Sequence, residues 1–136
     1  MLSQGAKANF SGKELENDVE SVLSALDIPY QTQVRFTDCY GNPNSKMDFV
    51  VKKLGKISGL AIECKRQNVS GTADQKLPFV VENLRQFPKA LLVLDGAHYK
   101  GREGIHNYLN SKVSETFAWT WAEDLGDWLI EQANKR

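Results

Sequence analysis

Cysteine is scarce in this sequence: Cys39 and Cys64 are the only two in 136 residues. Two thiols cannot build a disulfide framework or a four-thiolate zinc site, so a reducing, cytoplasmic setting is expected. Long apolar runs are missing as well. None approaches the roughly 20 residues a membrane helix needs, so no membrane span is expected. The opening Met1-Leu2-Ser3-Gln4-Gly5 has no basic patch followed by an apolar segment, which argues against a secretory signal. Histidine is rare, and His98 and His106 lack both metal-ligand spacing and a third partner. No repeat, low-complexity tract or Pro/Gly linker divides the chain, so residues 1–136 read as one domain, with residues 1–9 a short lead. Net charge is absent too, with 17 Lys and Arg against 17 Asp and Glu.

What is present is the balance of a globular protein, 41% hydrophobic and 25% charged. The charges are segregated. Residues 46–112 carry 12 basic against 6 acidic side chains, while residues 1–45 carry 3 against 6 and residues 113–136 carry 2 against 5. A basic middle between acidic ends can present a positive face although the total cancels.

The order of elements follows from periodicity and punctuation. Ser11-Gly12-Lys13-Glu14 is a capping box with Phe10 and Leu15 placed as a staple, and Leu15, Val19, Val22, Leu23 and Leu26 then form an apolar stripe at helical spacing. Asp27-Ile28-Pro29 ends that helix. Strands are expected over 30–37, 46–52 and 57–66, the last two joined by a short turn at Gly55. A helical region then runs to about Phe87, with Pro78 fitting best in a first turn after a turn at 72–77. The continuous apolar run from Ala90 to Leu94 marks a strand covered on both faces. A helix over 104–112, a strand over 116–121 and a helix from Glu123 complete the chain. The expected class is α/β, a mixed sheet flanked by helices in the order α-β-β-β-α-β-α-β-α.

Chemistry concentrates in Met47-Asp48-Phe49-Val50-Val51 and Leu60-Ala61-Ile62-Glu63-Cys64-Lys65. Strand side chains alternate, so Glu63 and Lys65 share a face opposite Leu60, Ile62 and Cys64. Asp48 is a lone acid in an apolar strand that should pair with theirs, and a carboxylate so placed costs stability unless something binds it. Two carboxylates and a lysine on adjacent strands can chelate a hard divalent cation such as Mg²⁺ and orient a water. Glu-x-Lys alone is an ordinary surface pair; beside Asp48 it becomes a candidate site.

On these residues the sequence resembles the PD-(D/E)XK nuclease superfamily, the restriction-endonuclease-like fold. Its pattern of a helix bearing Glu, a strand bearing Asp and a strand bearing Glu-x-Lys is matched by Glu16, Asp48 and Glu63-Cys64-Lys65. Met47 stands where the family's proline would be, a departure without chemical consequence. The run from Cys64 to Pro78 looks like small stand-alone members, many of them phage-type. The resemblance implies Mg²⁺-dependent hydrolysis of DNA phosphodiesters, with Mn²⁺ able to substitute. Asp48, Glu63 and the Cys64 backbone carbonyl would hold the metal, Lys65 would orient or deprotonate the attacking water, and Glu16 (Glu20 in reserve) would hold outer waters or a second ion. Gln75 would support the lysine, unless it serves only a capping box begun by Thr72. Arg66, Lys76, Lys100 and Arg102 are the expected phosphate contacts. Phe117, Trp119 and Trp121 read as core or oligomer interface rather than as base-stacking groups.

Superfamily members of this size include Holliday-junction resolvases, so the expected substrate is branched DNA and the expected assembly a homodimer. A sequence-specific or nicking endonuclease of restriction, homing or phage type is the alternative. An inactive nucleic-acid-binding module is the reading from another class.

Overall fold

The computed structural model describes residues 11–69, 71 and 73–135. Phe10, the side chain of Ser11 and Thr72, on which the staple and the two capping boxes rest, lie outside that description. Helix α1 (Ser11–Ala25) buries Leu15, Val19 and Leu23 against the sheet, as its stripe requires. Its C-terminus is closed by two backbone bonds, Ile28 N–H to the Leu23 carbonyl and Asp27 N–H to that of Ser24. Asp27 adopts a left-handed φ of 55° in the position glycine usually takes, and Ile28 packs in the same core cluster as Leu23.

Five strands form one sheet in chain order: β1 (Gln31–Phe36), β2 (Ser45–Leu54), β3 (Ile57–Arg66), β4 (Lys89–Asp95) and β5 (Phe117–Trp121). The first three run antiparallel, while β3, β4 and β5 are parallel. Parallel neighbours need crossovers. Helix α2 (Ala73–Leu84) makes the first, and α3 (Ala97–Lys100) with α4 (Glu103–Lys112) the second. A 3₁₀ turn (Ala122–Asp124) leads into α5 (Leu125–Ala133). None of the described helices is long and apolar enough to cross a membrane.

The sheet separates two apolar layers. Phe49, Val51, Leu60, Ile62, Leu91 and Val93 pack with α1 and α5, whereas Ala61, Ala90, Leu92 and Leu94 pack with α2, α4 and Phe117. Strand β4 is buried on both faces, in keeping with its unbroken apolar run.

Two expectations need correction. Pro78 lies inside α2, not in its first turn. The bond its missing N–H would have made is to Asp74, in the helix's first turn, and Pro78 itself is exposed, while Leu77, Val80, Val81 and Leu84 anchor the helix by burial. No helix is expected between β4 and residue 104, yet Ala97–Lys100 forms a helical turn that buries Tyr99.

The sheet positions the site through two irregularities. The β2–β3 ladder runs from Leu54↔Ile57 to Phe49↔Ile62 and ends there. Met47 belongs to the layer opposite that of Phe49, although alternate residues of a regular strand share a face. Strand β2 is therefore re-aimed at Asp48. Beyond the other end of the site, the chain after β3 crosses the end of β4: Gln67 N–H bonds the Asp95 carbonyl, and His98 N–H bonds that of Gln67. Gly96, at φ 106°, permits the crossing, since a Cβ there would stand 2.2 Å from the Gln67 carbonyl oxygen.

Candidate active site

Where the ladder stops, side chains take over the backbone bonds. The Cys64 N–H donates to Asp48 Oδ2 at 2.9 Å, and the Asp48 N–H donates to Glu63 Oε1 at 3.3 Å. The two acids are thus fixed to each other's strands. Lys65 Nζ lies 3.9 Å from Glu63 Oε2; the lysine side chain is 42% exposed and that of Glu63 16%. The alternation expected for β3 holds, with Leu60, Ile62 and Cys64 in the α1 layer and Ala61 in the other.

Glu16 meets Asp48 both directly, side chain to side chain, and by way of Gln33. Gln33 Nε2 donates to Glu16 Oε1 at 3.2 Å and lies 3.5 Å from Asp48 Oδ1. Sequence reasoning missed Gln33, whose one signal is register: Val34↔Met47 and Thr32↔Phe49 leave it opposite Asp48. The remaining acids of α1 are sorted elsewhere. Glu20 accepts the Tyr30 hydroxyl at 2.8 Å, and Glu14 and Asp18 turn to Arg66.

Two clefts flank the acids. One, of about 110 Å³, is lined by Glu16, Glu20, Gln33 and Asp48. The other, of about 300 Å³, is lined by Lys65, Arg66, Gln67 and Lys76 over Leu77, Val80 and Tyr99. Burial, and then the neighbouring Glu63 carboxylate, push the Asp48 acid up to about 6, against the opposing pull of the Cys64 N–H. Burial, then the charges of Asp48, Glu63 and Glu16, raise the Cys64 thiol, so its sulfur stays protonated and only its carbonyl can serve as a hard donor.

Among the described residues, no three His, Cys, Asp or Glu side chains form a ready-made cage, and no Lys, Arg or His pairs with Asp48. The donors expected there are the Asp48 and Glu63 carboxylates and the Cys64 main-chain oxygen. A partly buried acid pair, in which burial and then the neighbouring carboxylate raise the Asp48 acid, suits a hard divalent cation that brings water and phosphate oxygens as its other ligands.

A comparison with protein families matches residues 7–126 to the PD-(D/E)XK nuclease superfamily domain. The chain belongs to the PD-(D/E)XK nuclease superfamily. No curated protein and no solved structure matches it. The five-stranded mixed sheet with flanking helices is consistent with the restriction-endonuclease-like fold that the sequence resemblance implied. Superfamily membership implies a nucleic-acid substrate, and divalent metals are typical of these nucleases.

The structure places the other expected nuclease-site residues less uniformly. Gln75 is exposed and outside the lining of both clefts, whereas Lys76 borders the lysine cleft. Arg66, which also lines the lysine cleft, is an ion-pair hub. Its Nε donates to Asp95 Oδ2 at 2.7 Å, Nη2 contacts the same oxygen, and Glu14 and Asp18 stand at 3.6 and 3.8 Å. Its charge is matched by acids from α1 and β4, which ties that helix to the end of the lysine-bearing strand. Lys100 pairs with Glu123 at 2.6 Å, and Arg102 with Asp74 at 3.3 Å, the same acid that holds His98. Phe117 is core, while Trp119 and Trp121 are half-buried around His106.

Arg66→Ala is expected to cost about 3 kcal/mol of stability, because it strands partly buried carboxylates without their cation. Denaturant unfolding at neutral pH checks this, and a loss under about 1 kcal/mol would mean the hub is no more than a surface salt bridge.

Proposed function

We propose that this nuclease is a Mg²⁺-dependent endodeoxyribonuclease that cuts branched DNA as a homodimer, in the manner of a Holliday-junction resolvase. The observation that carries the endonuclease reading is the parting of β2 from β3 at Asp48, which brings Asp48, Glu63 and Lys65 together beside an open cleft. Asp48, Glu63 and the Cys64 carbonyl would hold the Mg²⁺ ion, or Mn²⁺ in its place. Bound there, such an ion supplies Lewis acidity toward a phosphate oxygen and a more acidic water.

The chain's own groups do the rest. Glu63 holds the Lys65 ammonium through one oxygen and the Asp48 backbone through the other. Lys65 orients the attacking water and offsets negative charge developing on the phosphate. Lys76, across the same cleft, binds a flanking phosphate.

Branched DNA is favoured by what one protomer lacks. Of the five cations considered, Lys65, Arg66 and Lys76 line the cleft, with Lys65 shared with Glu63 and Arg66 with Glu14, Asp18 and Asp95. Two copies related by a two-fold axis double that contact and can select the arms of a four-way junction through backbone contacts alone. An immobile junction should therefore be bound in Ca²⁺ more tightly than a linear duplex of the same sequence, by on the order of tenfold or more, the ratio that about 1.4 kcal/mol gives. In Mg²⁺ it should be cut by paired nicks. Equal affinity for both DNAs, or cutting confined to one short sequence of linear duplex, would contradict the junction reading and favour a sequence-specific endonuclease.

A further inference from the structure

Gln33 stands in a conformation that its residue type does not favour. Its φ is 51°, in the left-handed region where glycine and asparagine are at ease, yet regular pairing of β1 with β2 continues on either side of it. Strain of this kind persists only where the surroundings over-determine it, and it gathers at functional sites. Core packing does not compensate here, because Gln33 is exposed. Among the described residues its side chain bonds two groups, the carboxylates of Glu16 and Asp48. Asp48 Oδ2 is fixed by the Cys64 N–H, and the Gln33 carboxamide approaches Oδ1 while it donates to the Glu16 carboxylate, itself bonded to Asp48.

We infer that Gln33 is a positioning residue: its strained backbone delivers a carboxamide that bridges Glu16 on α1 to Asp48 on β2 and holds the two acids at one spacing for a cation. This deepens the metal-dependent reading above and rests on it. The bridge does not touch the scissile bond. Its effect passes through the acids, as with the outer partners that orient metal ligands elsewhere.

The test uses Gln33→Asn and Gln33→Gly. Both residues accept a left-handed φ; asparagine is one methylene too short for the bridge, and glycine has no side chain. In metal-free buffer both variants should melt at or above the wild-type temperature, since strain is relieved. Calorimetric titration with Mg²⁺ alone should show affinity weakened on the order of tenfold. In plasmid nicking, kcat should fall while KM for DNA holds. Wild-type Mg²⁺ affinity and kcat in both variants would overturn the inference. So would a lower melting temperature with unchanged Mg²⁺ affinity, which would assign Gln33 to strand stability. Wild-type protein that neither binds Mg²⁺ nor cuts DNA would instead remove the nuclease reading itself, and this inference with it.

Discussion

Glu63→Ala and Lys65→Ala should each reduce Mg²⁺-dependent DNA cleavage by about a thousandfold or more, because groups that act as a unit lose most of their acceleration when any one is removed. The structure gives the coupling a concrete form. Glu63 receives the Asp48 N–H through one oxygen and faces the Lys65 ammonium through the other. Removing it therefore displaces the second acid and the lysine at once. Lys65→Ala leaves both carboxylates in place but removes the positive charge proposed to meet the phosphate. Junction affinity measured in Ca²⁺ should stay within a few-fold of wild type for Glu63→Ala, which takes away an anion rather than a phosphate contact. Activity within tenfold of wild type in either variant would remove these residues from the catalytic centre.

The second large effect concerns Asp48 without metal. Its acid lies at about 6 in the folded protein against an ordinary 3.8, so the folded state holds a proton that the unfolded chain has already released. A group raised in this way favours folding fully below pH 3.8, and that contribution is lost as pH climbs to about 6. Metal-free protein should accordingly lose on the order of 2 kcal/mol across that window from this group. Asp48→Asn abolishes the titration. The Asn carbonyl can still accept the Cys64 N–H and its amide can donate toward Glu63, so melting in chelator at pH 8 should rise by several degrees. Mg²⁺ should then stabilise the wild type more than the variant. A variant that melts lower, with the same response to Mg²⁺, would make Asp48 an ordinary structural acid.

Local pattern carried most of the fold. The α1 stripe, the two-residue turn at Gly55, the doubly buried β4 and the alternation of β3 are all readable within one element, and each stands close to where periodicity placed it. Legibility ended where distant segments decide the outcome. Nothing in the residues around Arg66 shows that Glu14, Asp18 and Asp95, from two other elements, close around it. The same holds for Arg102 and Asp74, and for Lys100 and Glu123.

Pro78 was placed by a rule of propensity, which the burial of Leu77, Val80 and Val81 outweighs. Within the site, the juxtaposition of Asp48 with Glu63 followed from an antiparallel hairpin. The end of the ladder and the change of face between Met47 and Phe49 did not, because alternation presumes an unbroken pleat. Gln33 was invisible for a related reason: a left-handed glutamine has no mark in its residue type.

The acids and lysine gathered where β2 leaves β3 are proposed to hydrolyse DNA with the help of a divalent cation. Incubating the purified chain with supercoiled plasmid, in Mg²⁺ and in parallel with chelator, tests this proposal most directly. Nicked circles are expected in Mg²⁺, none in chelator, and none from Glu63→Ala. Intact plasmid with both Mg²⁺ and Mn²⁺, or nicking that persists in chelator or in Glu63→Ala, would contradict it.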